Sequence, residues 1–139
     1  MSTPNSTSEY MLLFRGACWD KGLSPEEAQR LMNQVMAWFE GLKNRGIVKA
    51  GQPLGPEGRT ISGTKGRSVS DGPFAESKEA VGGYLLLQGV SMDEVVAIAK
   101  ANPTLAHGIS IEVRPVLEDC PVFERVGVKL KDLLSSTAA

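Results

Sequence analysis

A chain of 139 residues, 42% hydrophobic and 22% charged, has the size and composition of one compact domain with its own core. Fifteen Lys and Arg against sixteen Asp and Glu leave a formal charge of −1, which withholds the basic field that non-specific nucleic-acid binding draws on, so no nucleic-acid partner is expected. No apolar run approaches the length of a membrane span, so no membrane partner is expected either.

Residues 1–8 are small and polar, read as a disordered N-terminus, and lack the charged start and apolar core of a secretory signal, which points to a cytoplasmic protein. Asn5-Ser6-Thr7 fits a glycosylation acceptor, a pattern that matters only in a secreted chain. Tyr10 to Arg15 is a nearly continuous apolar run, the pattern of a central strand covered on both faces. After a loop, Ser24-Pro25-Glu26-Glu27 starts a helix: Ser as N-cap, Pro at the first helical position, Glu three residues on. Ala28, Leu31, Met32, Val35, Met36, Phe39 and Leu42 recur at helical spacing, and Gly46 is the stop. With Trp38 alongside, this stripe is core packing rather than a cofactor box.

A second strand is expected over Ile47–Gln52 and a glycine- and proline-punctuated hairpin excursion over 53–66, with Thr60-Ile61-Ser62 as one short strand. The Gly58–Lys65 segment superficially resembles a phosphate loop, but its order is Gly-Thr-Lys and no helix follows, so the match is discarded. Arg67 to Ser70 is a short strand leading to the turn signal Asp71-Gly72-Pro73, with a brief helix signal over Ala75–Ala80. Tyr84 to Gln88 is another buried strand. Ser91-Met92-Asp93-Glu94 is a second capping box, and Val95, Val96, Ile98 and Ala99 are the apolar positions of a second helix. In the last strand Ile109, Ile111 and Val113 alternate with Ser110, Glu112 and Arg114.

Two strand–helix–strand halves give a ferredoxin-like split βαβ arrangement, an α+β fold whose antiparallel sheet carries both helices on one face. The opposite face must meet solvent, a ligand or a second copy, and the apolar first strand argues against leaving it wet. The expectation is a homodimer with sheets face to face, Ser110, Glu112 and Arg114 directed to the shared interior. The domain is placed at 9–116, with 117–139 as a C-terminal extension that carries enough apolar residues to dock on something.

The chemistry-bearing residues leave alternatives open. Glu112 and Arg114 either pair with each other or across a dimer, or else Arg15, Arg67 or Arg114 holds an anionic substrate group by a forked hydrogen bond, with Glu112 beside it. His107 is the single histidine and lies just before the last strand; with Asp71 fixing its tautomer it would make a general base. Asp71 equally suits a turn in which it accepts backbone N–H bonds. Cys18 and Cys120 are far apart and read as reduced thiols, and one His with two distant Cys makes no closed metal site, so neither metal nor cofactor is expected.

At the segment Asp71-Gly72-Pro73-Phe74-Ala75-Glu76-Ser77-Lys78-Glu79, with Gly82-Gly83-Tyr84 and Ile111-Glu112-Val113-Arg114-Pro115 in the same order, the chain resembles the YCII-related proteins of the DGPF subgroup, from about Tyr10 to Val116. The resemblance implies a dimeric α+β barrel of ferredoxin-like subunits, in a mostly bacterial group often encoded near sigma factors of the extracytoplasmic-function class. Among related YCII proteins a His and an Asp form the candidate active site, and one relative is a dehydrochlorinase acting on a chlorinated muconate. Carried over, these roles fall on Asp71, which matches the motif Asp, and on His107, which resembles a histidine that many but not all members have before the final strand. The leading expectation is thus a dimeric protein that binds a small anionic ligand, with acid–base catalysis by Asp71 and His107. The alternative is a non-catalytic interaction or regulatory module tied to sigma-factor-dependent transcription.

Overall fold

In a computed structural model, residues 9–16, 21–71 and 80–135 are described, and everything below concerns these. The expected helix over Ala75–Ala80, apart from Ala80 itself, and the surroundings of Cys18 and Phe74 lie outside them.

Strand β1 (Glu9–Arg15) leads to helix α1 (Pro25–Asn44) and strand β2 (Val48–Pro53). A two-stranded ribbon, β3 (Arg59–Ser62) and β4 (Ser68–Asp71), follows, then β5 (Val81–Gln88), α2 (Met92–Lys100) and β6 (Ser110–Pro115). Two short helices, α3 (Pro121–Glu124) and α4 (Leu130–Ser135), end the described chain. The main sheet has the order β2-β5-β1-β6, with every neighbouring pair antiparallel. β1 and β2 are therefore parallel with β5 between them, and β5 and β6 are parallel with β1 between them. Each of these parallel pairs is joined through a helix, which is the split βαβ arrangement.

Local signals set the helices. Ser24 Oγ accepts the Glu27 N–H at 3.1 Å while Glu27 Oε1 accepts the Ser24 N–H at 2.9 Å. Ser91 and Glu94 repeat this reciprocal box at the start of α2. At the far end of α1, Gly46 turns left-handed with φ 74°. Its N–H reaches the Lys43 carbonyl, and the Ile47 N–H reaches that of Leu42. Two carbonyls that the helix would leave orphaned are thereby satisfied, and the motif brings Leu42 and Ile47 together in the core.

The core lies between the helices and one face of the sheet: Leu12, Leu85 and Leu87 from the strands meet Leu42, Val95, Ile98 and Ala99, with Tyr10, Phe14, Trp38 and Phe39 packed around them. Two expected apolar positions depart from this. Met36 is 59% exposed and Val96 is exposed, because each sits at the margin of its helix's apolar arc. Trp38, at the other margin of α1, takes the inward place and donates its indole N–H to the Ile98 carbonyl at 3.0 Å, tying α1 to α2.

Candidate functional site

Alternation along the strands puts Tyr10, Leu12 and Phe14 on the helix side and sends Met11, Leu13 and Arg15 to the open face. The register then assembles that face. Leu13 stands opposite Tyr84 on one side and Glu112 on the other, and Met11 stands opposite Leu86 and Arg114. Met11, Leu13, Tyr84 and Leu86 are all half-buried, an apolar centre on the face turned away from the core under α1 and α2.

Charged groups frame this centre. Glu112, two residues along from Ser110, which stands opposite Arg15, receives both Nε (2.9 Å) and Nη2 (2.7 Å) of the Arg15 guanidinium on Oε1. Arg114, two residues along the same strand, approaches Oε2 with Nη1 at 3.3 Å. The Arg15 hydrogen bonds, then those of Arg114, hold the Glu112 carboxyl below its ordinary pKa. Toward the other end of the face, Lys49 Nζ sits 2.7 Å from Glu9 Oε2. Glu112 is thus engaged chiefly by Arg15. Arg114 has one long contact and a side chain 66% exposed, leaving most of its planar donor fork turned to the outside.

The remaining expected residues fall elsewhere. Asp71 closes β4, directly opposite Arg59, with Oδ1 3.3 Å from Arg59 Nε and a side chain 73% exposed. Arg67 lies exposed beside the turn that joins β3 to β4. His107 ends a 3-10 turn, Pro103–His107, that packs on α1. The buried Asn102 holds the start of this turn by accepting the Thr104 N–H at 2.8 Å. His107 is close enough to the start of α1 to help lower the Glu27 carboxyl pKa, an effect due first to the Ser24 backbone N–H. Among the described residues no hydrogen bond or ion pair joins Asp71 to His107. The structure brings Arg15, Glu112 and Arg114 together, and it gives Asp71 and His107 other immediate neighbours.

Two grooves were not anticipated from the sequence. One, about 440 Å³, runs between α1 and β2 and is lined by Phe14, Trp38, Phe39, Gly51 and Gly83 among others. The other, about 500 Å³, lies between α1 and α2 beside Trp38, Arg45 and Glu94. Neither is lined by Arg15, Arg67, Asp71, His107, Glu112 or Arg114. The only available signal was subtractive: Gly51 and Gly83 withhold side chains where strands approach closely, and a missing side chain leaves no hydropathy pattern. Among the described residues no cluster of His, Cys, Asp or Glu is built to hold a metal. No helix among them is long and apolar enough to cross a membrane.

Comparison with known proteins gives three findings. An uncharacterised protein of Rhizobium meliloti (strain 1021) is 36% identical over 106 residues, which is 67% of this chain and 78% of that protein. Among solved structures, the 5-chloro-2-hydroxyhydroquinone dehydrochlorinase TftG from Burkholderia phenoliruptrix AC1100, in complex with 2,5-dihydroxybenzoquinone, is 19% identical. It aligns with a TM-score of 0.41 over 78% of this chain and 94% of its own, an overlap too loose to carry anything across. The third finding is decisive. Residues 9–119 match the YCII-related domain, nearly the whole of the fold described above, and the chain belongs to that family.

Proposed function

We propose that this chain is a cytoplasmic, homodimeric small-molecule-binding protein of the DGPF subgroup. In this reading two open sheet faces meet and enclose a site for a small anionic substrate, and Arg114 is its principal anchor. The observation that carries the reading is the unequal sharing of Glu112. Arg15 takes one oxygen with two short bonds, while Arg114 is left with a single 3.3 Å contact and an exposed fork beside an apolar patch. A planar guanidinium with free donors opposite Met11, with Leu86 in the same row one strand further, suits a carboxylate attached to a flat or apolar body. Asp71 and His107 are the acid–base pair of this proposal. His107 is the chain's single histidine, the Asp71 carboxylate stands exposed, and Asp71 matches the motif residue of the subgroup.

Thermal shift with benzoate, maleate and inorganic phosphate tests this, since a ligand bound only by the native state raises the midpoint by mass action. The carboxylates should stabilise the wild-type protein, and Arg114→Leu should abolish the response. A response undiminished in Arg114→Leu rules out the anion site. Responses unchanged in both Asp71→Asn and His107→Ala remove that pair from it. Sedimentation should give twice the chain mass at micromolar concentration, and a monomer there refutes the dimer.

A further inference from the structure

Among the described residues the β3–β4 ribbon lies outside the main sheet and its core. All eight of its strand residues are exposed. Beyond each other and the short turn between them, the two strands touch little else among the described residues. Ile61 and Val69 stand directly opposite one another on one face, 62% and 59% exposed, with Arg59 and Asp71 paired on the same face. Thr60, Ser62, Ser68 and Ser70 occupy the other. An isolated two-stranded hairpin is marginal in water, and an uncovered Ile–Val pair does not make it less so.

The segment after β6 has the complementary character. From Arg59 to Asp71, the whole ribbon, there are three basic residues, Arg59, Lys65 and Arg67, against one acid, Asp71, which is paired with Arg59. From Leu117 to Glu124 there are three acidic residues, Glu118, Asp119 and Glu124, and no base. Leu117 and Val122 are each 60% exposed. Asp119 Oδ1 is enclosed, yet it has no hydrogen-bond partner among the described residues, an expensive state for a carboxylate oxygen.

The topology fixes where the chain leaves the sheet for each of these segments. The chain leaves for the ribbon at one corner of the sheet, the end of β2 where Pro53 pairs with Gly83 and Leu54 bonds Gly82. It leaves for the acidic segment at the diagonally opposite corner, the end of β6 where Val116 bonds Glu9. Four strands and seven residues put these corners about 25 Å apart. In a face-to-face dimer whose two-fold axis lies between the sheets along the other diagonal, these corners exchange. The strands then cross at roughly 70°, and each ribbon is carried toward the acidic segment of the other copy, twice by symmetry.

We propose that the β3–β4 ribbon is an arm that docks, through Ile61, Val69, Lys65 and Arg67, onto the Leu117–Glu124 segment of a second copy of this chain. The proposal rests on the face-to-face dimer argued above. It adds that Asp71, carried on the apolar face of the arm, becomes enclosed only when the second copy is present, so any site that includes Asp71 is incomplete in one chain.

Disulfide trapping tests it in a Cys18→Ser/Cys120→Ser background, with Ile61→Cys and Val122→Cys both at exposed positions. Mild oxidation should give a covalent dimer from the double-cysteine protein and none from either single-cysteine protein. In parallel, Lys65→Glu/Arg67→Glu should weaken the dimer about tenfold, and adding Glu118→Lys/Glu124→Lys should restore it. A dimer that neither traps nor responds to the charge exchange overturns the arm while leaving the face-to-face dimer standing. A wild-type monomer at micromolar concentration overturns the dimer and the arm with it.

Discussion

Gly82 and Gly83 are neighbours with opposite surroundings, and one methyl group placed at each should have opposite effects. Gly83 is buried on the helix side of β5, between Phe14 on β1 and Pro53 on β2. A Cβ there would stand 3.1 Å from the Gln52 carbonyl oxygen and 3.3 Å from Pro53 Cα. Both are backbone atoms of β2, so relief requires the strand to move rather than a side chain to rotate. Such overpacking costs about 1–3 kcal/mol. For a chain of this size each kcal/mol is worth roughly 3–6 °C in Tm, so Gly83→Ala should melt roughly 3–18 °C below wild type. Gly82 is exposed where the β1–β5 register shifts, and a Cβ there meets nothing nearer than the Phe14 and Gly16 carbonyls at 3.9 Å. Its φ lies outside the left-handed region. Gly82→Ala should therefore be neutral or stabilise by up to about 1 kcal/mol through the unfolded chain. Thermal unfolding followed by circular dichroism reads both. Equal midpoints for the two variants, or a wild-type midpoint for Gly83→Ala, would refute the argument that the close approach of β2 to β5 demands glycine at 83 and not at 82.

Removing either helix cap, Ser24→Ala or Ser91→Ala, should cost about 1 kcal/mol in urea unfolding, and the two losses should add because the boxes share no partner. A non-additive pair would mean that the two helix starts are coupled. The Glu112 carboxyl has a lowered pKa in the folded state, so its stabilising contribution is present above the ordinary carboxylate range and is lost as pH falls through the lowered value. Glu112→Gln should accordingly flatten part of the acid-side decline in the urea midpoint. Superimposable pH profiles would show that the Arg15 pairing contributes nothing to folding.

What the sequence made legible was what is decided locally. Ser24 with Glu27 and Ser91 with Glu94 place helix starts within a few residues of chain, and both boxes form as spaced. Alternation through Ile109–Arg114 names the faces of β6 whatever lies beside it, and Ile111 and Val113 do face the core. The pairing of Arg15 with Glu112 is different in kind. The residue types allowed either a mutual pair or an anion clamp, and only the register of β1 against β6 sets Arg15 diagonally across from Glu112 and leaves Arg114 on the far oxygen. The turn signal Asp71-Gly72-Pro73 runs on outside the described residues, and what the sequence did not show is that Asp71 also ends a ladder opposite Arg59, twelve residues upstream. Met36 and Val96 fitted helical spacing yet lie outward, since periodicity gives the direction of an apolar arc and not its width.

The unequal sharing of Glu112 ties the proposed assembly to the proposed ligand. If the open faces meet, Arg114 leaves water with one 3.3 Å contact to a carboxylate already engaged by Arg15. Taking a guanidinium out of water with its donors mostly unmet costs several kcal/mol, and symmetry imposes that cost twice per dimer. A small carboxylate placed against each Arg114 offsets it, so the anion and the second copy should each favour binding of the other. Sedimentation with and without benzoate or maleate at constant ionic strength measures this linkage directly. The dimer dissociation constant should fall with added carboxylate in the wild-type protein. In Arg114→Leu it should be low from the start and indifferent to the anion. If carboxylate leaves the wild-type constant unchanged while still raising Tm, the ligand binds away from the shared face, and the Arg114 clamp is the wrong site.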